Sequence, residues 1–122
     1  DHPDCLITSA SFHLRRGDRD AIRARMDDLM ERRRTKQPLE YPSAGSTFKR
    51  PEGYFAGKLI QDAGLSGFSV GDAQVSEKHC GFVINRGEAT AADVADLIRK
   101  VQEQVYEKFQ VKLEPEVRML GF

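Results

Sequence analysis

Thr90-Ala91-Ala92-Asp93-Val94 opens the stretch of sequence that decides the fold. Thr90 and Asp93 stand at capping-box spacing, where a hydroxyl and a carboxylate satisfy each other's backbone N–H groups at a helix start. Behind them Val94, Leu97, Ile98, Val101, Val105 and Phe109 recur at helical spacing, which predicts a helix to about residue 110 with one buried stripe. Such a stripe needs a sheet or a second helix to cover it. Upstream, Phe82-Val83-Ile84 reads as a short buried strand ended by Asn85-Arg86-Gly87, and Gly67 and Gly71 mark turns leading into short strands. Ala56, Leu59, Ile60 and Ala63 predict a short helix closed by Gly64. Downstream, residues 113–120 alternate, with Leu113, Pro115, Val117 and Met119 on one face and Glu114, Glu116 and Arg118 on the other. Pro115 has no N–H, so this strand sits at an edge or pairs only beyond that point.

Further out, residues 6–14 also alternate, with Leu6, Thr8, Ala10, Phe12 and Leu14 sharing a face, and they predict a first strand. Gly17-Asp18 ends it, and Asp18 is placed to cap a helix over residues 19–36 whose stripe of Ile22, Met26, Leu29 and Met30 is expected to be buried. Residues 37–55 follow no period and hold Pro38, Pro42, Gly45, Pro51 and Gly53, so they read as a long loop of the kind that more often carries function. The order strand, helix, loop, helix, short strands, helix, strand predicts an α+β fold: a mainly antiparallel sheet packed against helices in a single domain.

The composition fits. At 122 residues the chain holds one modest core, and 39% apolar with 31% charged residues is a globular balance. Nineteen basic and nineteen acidic side chains cancel, which argues against nucleic acid or an anionic membrane as partner. No apolar run is long enough for a membrane span or a signal peptide. Two widely separated cysteines, Cys5 and Cys80, suit a reducing compartment better than a disulfide scaffold. The chain starts abruptly at Asp1 rather than Met, which raises the expectation of a piece of a longer protein.

Three places offer chemistry. Pro42-Ser43-Ala44-Gly45-Ser46-Thr47-Phe48-Lys49-Arg50-Pro51 combines hydroxyls, cations and a glycine that permits positive φ and close approach of a ligand; a solvated turn accounts for the same spacing. Glu116 and Arg118 share the polar face of the last predicted strand, an arrangement that suits binding a carboxylate or equally a surface ion pair. In Lys78-His79-Cys80 the neighbouring side chains diverge on a strand, so Cys80 reads as a small core residue and His79 as a polar one, not as a nucleophile and its base. No zinc spacing, phosphate loop or dinucleotide fingerprint is present. The run Arg32-Arg33-Arg34-Thr35-Lys36 suits a helix C-terminus and would also meet phosphates.

In order along the chain come Arg33-Arg34-Thr35-Lys36-Gln37-Pro38, Ser43-Ala44-Gly45-Ser46-Thr47-Phe48-Lys49, Ala56-Gly57-Lys58-Leu59-Ile60, Ala73-Gln74-Val75-Ser76-Glu77-Lys78-His79 and Leu113-Glu114-Pro115-Glu116-Val117-Arg118. Together these closely resemble the C-terminal, substrate-binding domain of the UDP-N-acetylenolpyruvoylglucosamine reductase (UDP-N-acetylmuramate dehydrogenase) family, over essentially all of residues 1–122. The resemblance implies part of a cytoplasmic flavoenzyme of peptidoglycan synthesis, and so of cell-wall growth, cell shape and division. In that family NADPH reduces FAD, and the hydride then reaches the enolpyruvyl group of UDP-N-acetylglucosamine enolpyruvate. The N-terminal FAD-binding domains would lie outside this chain, which alone would be inactive. Only Arg15-Arg16-Gly17-Asp18-Arg19 stands where one branch of the family carries a tyrosine-bearing insertion, so the branch without it is implied. By position, the resemblance makes Ser46 the proton donor to the substrate carbon and Glu116 the stabiliser of the enolate-like intermediate. It puts Lys36 near the diphosphate, Gly45 in the serine loop, His79 where some members carry glutamine near the substrate, and Arg118 beside Glu116. Arg50 departs from the asparagine of many members and is given no role. The alternative is a stand-alone nucleotide-sugar-binding or interaction module that kept the fold without redox activity.

Overall fold

The structure, a computed structural model, describes residues 4–122. The abrupt start noted above, residues 1–3, lies outside the described residues. Elements follow in the order α1 (Arg19–Lys36), β1 (Ser43–Ser46), α2 (Ala56–Asp62), β2 (Ser69–Val70), β3 (Ala73–Val75), β4 (Phe82–Asn85) and α3 (Ala91–Phe109). Among the described residues the four strands form one antiparallel sheet in the order β1-β4-β3-β2. The α+β class expected from the sequence is therefore the class observed.

The centre of the fold follows the predicted helix closely. Both arms of the capping box form: Asp93 N–H donates to Thr90 Oγ1 at 3.1 Å, and Thr90 N–H donates to Asp93 Oδ2 at 2.9 Å. The stripe then buries Leu97, Ile98, Val101 and Val105 against β2, β3 and α2. Ile60, Leu65, Val75, Phe48 and Leu113 complete the core. Each of these side chains, fully withdrawn from water, contributes roughly 1.5–3 kcal/mol of transfer free energy. The short helix α2 ends as predicted. Gly64 takes φ +80°, and Leu65 N–H reaches back to the Ile60 carbonyl at 3.1 Å, while the Leu65 side chain enters the core. Gly71, at φ +55°, makes the two-residue turn from β2 to β3.

Four expectations need correction. Residues 6–14, predicted as a strand, belong to no strand among the described residues, and Leu6 and Leu14 are 88% and 78% exposed. A strand exists only by pairing its backbone with a neighbour, and residues 6–14 pair with none of the described strands. α1 forms where predicted, but none of its residues is buried, and Ile22 and Met26 are 50% and 59% exposed. What holds α1 is local: Asp18 Oδ1 caps Asp20 N–H at 3.0 Å, and the pairs Arg25–Asp28 and Arg32–Asp28 lie one turn apart. Residues 37–55, read as loop, contain β1 and a further bridge between Phe48 and Pro115. Their pairing escapes a period-two pattern because the β1–β4 register slips by one residue between Ser43 and Ser46. Finally, residues 113–120 reduce to that one bridge. Lys49 N–H donates to the Glu114 carbonyl at 2.8 Å and Glu116 N–H to the Thr47 carbonyl at 2.9 Å, so Pro115 sits at the non-hydrogen-bonded position between them, where no N–H is required. Beyond it the chain turns, and Glu116 and Arg118 do not share a strand face.

Candidate functional site

The bulge in β1 builds the site. Between Ser43 and Ser46 the strand advances three residues while β4 advances two, from Ile84 to Phe82. Gly45 takes up the extra residue at φ +83°, a conformation that costs other L-residues about 1–2 kcal/mol. A Cβ on Gly45 would meet nothing within 4 Å, so the requirement here is backbone conformation and not space. The bulge carries Ser46 to the wall of a cleft of about 430 Å³ that Arg50, Phe55, Lys58 and His79 also line. The Ser46 hydroxyl donates to the Phe48 carbonyl at 3.4 Å, a long bond that holds its proton loosely.

Opposite stands the turn that follows β3. Ser76, buried, accepts His79 N–H on its hydroxyl at 3.2 Å. Gly81 N–H donates to His79 Nδ1 at 3.0 Å, which assigns the ring proton of the neutral imidazole to Nε2. The ring packs edge-on to Phe82 with centroids 4.9 Å apart. Two glycines make room for it: a Cβ on Gly81 would come within 2.9 Å of His79 Cε1, and one on Gly57 within 3.3 Å of the same atom and 3.1 Å of Gly81 N. The N-terminus of α2 thus lies directly against the histidine turn. Arg50 lies over the Phe55 ring at 4.2 Å, a cation–π contact that orients a cation at the cleft mouth, and Lys58 pairs with Asp62 at 2.6 Å.

Of the residues singled out from the sequence, Ser46 and His79 come together in this cleft, and Cys80 lies buried in its lining. Glu116 is exposed and outside the lining, yet its backbone is bonded to Thr47, the neighbour of Ser46. Lys36, at the exposed end of α1, and Arg118, exposed beyond Pro115, lie outside the lining as well. Lys49 stands on the Glu116 side, and the hydrogen-bonded Glu114 carboxylate holds its ammonium pKa above the ordinary lysine value; Glu116 adds a smaller through-space share. Thr47, Phe55, Lys58, Gly57 and Gly81 were not picked out as site residues. For Gly57 and Lys58 the signal is the Ala56-Gly57-Lys58 block; Thr47 stands in the Ser43–Lys49 block, where only Gly45 and Ser46 draw a role. Among the described residues no group of His, Cys, Asp or Glu is arranged to hold a metal ion, and no helix is long and apolar enough to cross a membrane.

Comparison with known proteins meets this geometry. The family model described as UDP-N-acetylenolpyruvoylglucosamine reductase, C-terminal domain, matches residues 37–120, which contain the bulge, the histidine turn and Pro115. The UDP-N-acetylenolpyruvoylglucosamine reductase of Agathobacter rectalis is 67% identical over 116 residues, 95% of this chain and 37% of the relative. That of Clostridium novyi is 64% identical over 116 residues, 95% of this chain and 38% of its own. The crystal structure of UDP-N-acetylenolpyruvylglucosamine reductase from Thermus caldophilus aligns with a TM-score of 0.67 at 37% identity, covering 88% of this chain and 38% of that one. This chain therefore spans well under half the length of the relatives it matches. It belongs to the UDP-N-acetylenolpyruvoylglucosamine reductase family, as the C-terminal domain.

Proposed function

We propose that this chain is the substrate-binding and proton-donating part of a reductase that converts UDP-N-acetylglucosamine enolpyruvate to UDP-N-acetylmuramate for peptidoglycan synthesis in the cytoplasm. The observation that carries the reading is the Ser46 hydroxyl, loosely bonded, on a glycine bulge in the wall of a cleft shared with His79. A cleft of about 430 Å³ is of the size that takes a small ligand such as a sugar or an enolpyruvyl arm. Its residues do not fit as the flavin's socket, and FAD is assigned to the remainder of the full-length protein, with NADPH as reductant. Reduced flavin, when bound there, supplies a hydride to the enolpyruvyl double bond.

The work of this chain is electrostatic and protic. The carbon next to the hydride acceptor is left carbanionic and conjugated to its carboxylate. Ser46 Oγ delivers a proton to that carbon and regains one from solvent water, so a hydride and a proton add across the double bond and the hydroxyl is restored. A serine is a weak acid in water, but positioning offsets that weakness against so basic a centre. Glu116, held beside Thr47 through its backbone, is assigned to the enolate-like intermediate. His79 offers Nε2–H to a substrate oxygen, and Lys36, Arg118 and the Gly45 loop complete the substrate's surroundings once the full-length protein is assembled. That remainder also covers residues 6–14 and the exposed stripe of α1.

The test is Ser46→Ala in the full-length protein. Flavin reduction by NADPH should be nearly unchanged, and reoxidation by the enolpyruvyl substrate should slow by about 10²–10⁴, the usual worth of a general acid. Ser46→Cys should recover part of the loss. Equal slowing of both half-reactions in stopped flow, or of neither, would make Ser46 a structural loop residue.

A further inference from the structure

Resting on that reading, we infer that Thr47 is the positioning residue that fixes Ser46 relative to Glu116. Thr47 is only 2% exposed and is bonded in three directions. Its N–H donates to the Gly81 carbonyl at 2.9 Å, joining it to the histidine turn. Its carbonyl accepts Glu116 N–H at 2.9 Å. Its hydroxyl oxygen accepts Val83 N–H from β4 at 3.0 Å.

The third bond is the unusual one. Val83 faces Val75 on β3, and Ser76 N–H donates to the Phe82 carbonyl, so the Val83 N–H points away from β3 toward β1. In a regular ladder a β1 carbonyl would receive it. At the bulge the Thr47 hydroxyl also takes this donor, at 3.0 Å. The irregularity that carries Ser46 to the cleft thus comes with a side-chain acceptor for a buried main-chain donor, Thr47 Oγ1, while the same residue's backbone ties in the Glu116 segment. An aliphatic side chain of equal size would fill the space and remove that acceptor from the buried Val83 N–H. The segment would then shift or loosen where Ser46 must be held to a fraction of an ångström.

The experiment uses the full-length protein with Thr47→Val and Thr47→Ser beside Ser46→Ala. Thr47→Val should slow reoxidation by the enolpyruvyl substrate at least about tenfold, with flavin reduction and the KM for the nucleotide sugar changed less than about threefold. Thr47→Ser, which keeps the acceptor oxygen, should stay within about threefold of the parent. Hydrogen exchange should quicken in peptides covering residues 44–49 and 113–118 of the valine variant and not of the serine variant. If the valine variant does not fold, Thr47→Cys replaces it; sulfur is the weaker acceptor, so the cysteine variant should be slower than the serine variant in the same step. Equal rates for the serine and valine (or cysteine) variants, or a loss confined to KM, would overturn the inference. A silent Ser46→Ala would instead overturn the reading of the site itself.

Discussion

α1 and α3 are nearly the same length, 18 and 19 residues, and both open on a side-chain cap. Both carry an acidic residue in the first turn and at least one basic residue in the last, as the helix dipole favours. Both also have an apolar stripe at helical spacing. α3 buries Leu97, Ile98, Val101 and Val105, whereas α1 buries none of its residues. Capping, dipole and local pairs therefore specify that a helix forms, and the packing that makes it resistant to unfolding comes from elsewhere. The boundary is shared by the family match, which begins at residue 37, just after α1 ends.

The strongest way to break this contrast is a pair of leucine truncations. Leu113 is fully buried and its carbonyl accepts Gln102 Nε2 at 2.9 Å, which pins the end of the chain onto α3. Leu113→Ala should cost about 2–5 kcal/mol in urea denaturation, the range for a core cavity. Leu29→Ala in α1 should change the same transition by less than about 0.5 kcal/mol, because no packing is lost. If the remainder of the full-length protein covers that stripe, as proposed, Leu29→Ala becomes clearly destabilising there. Equal costs at both positions in this chain would show that α1 belongs to the cooperative core.

Removing the two caps sharpens the comparison at a smaller scale. Thr90→Ala abolishes the box on α3 and should lower the unfolding free energy by about 1 kcal/mol. Asp18→Ala removes the acceptor of Asp20 N–H on α1. With none of the α1 residues buried, that loss should appear as reduced helical circular dichroism below the transition, with the midpoint unmoved. A matching shift of midpoint for both variants would contradict the separation of the two regions.

The same asymmetry explains what the sequence made legible. The α3 stripe, the Thr90–Asp93 box, the Gly64 stop and the Phe82-Val83-Ile84 strand were readable because each is set by residues near one another in the chain. Residues 6–14 and the α1 stripe carried equally good periodicity, but periodicity records which face wants covering and not whether this chain covers it. β1 was hidden for the opposite reason: its bulge at Gly45 breaks the alternation by which strands are read. Of the residues proposed for the site, Ser46 and His79 stand in blocks readable along the chain and line one cleft. Thr47, whose hydroxyl reaches 36 residues along the chain to Val83, was not found, because its role exists only after β1 and β4 pair. Glu116 and Arg118 were paired on the strength of an alternation that stops at Pro115.

The smallest effect concerns charge. On α3 the Asp96 carboxylate takes hydrogen bonds from Lys100 and Arg99, and these hold its pKa below the ordinary value of 3.8. Arg99 also reaches Glu103 at 2.7 Å, so the cluster spans two turns of the helix. A carboxyl whose pKa is lower folded than unfolded binds fewer protons in the native state. Its share of stability is therefore present above the unfolded value and is lost as pH falls through the folded one. The sites are open to solvent, so the share is small and weakens further in salt. Asp96→Asn should lower the denaturation midpoint slightly at neutral pH, and the gap to the parent should close as the pH is taken below roughly 4. On α1, Asp28 is bracketed by Arg25 and Arg32 at 3.1 Å each, a comparable local arrangement. Asp28→Asn should nevertheless leave the transition unmoved at every pH, since α1 is not buried in the core that melts. A gap for Asp96→Asn that widened in acid would reverse the sign of its contribution, and a pH-dependent gap for Asp28→Asn would couple α1 to α3 after all.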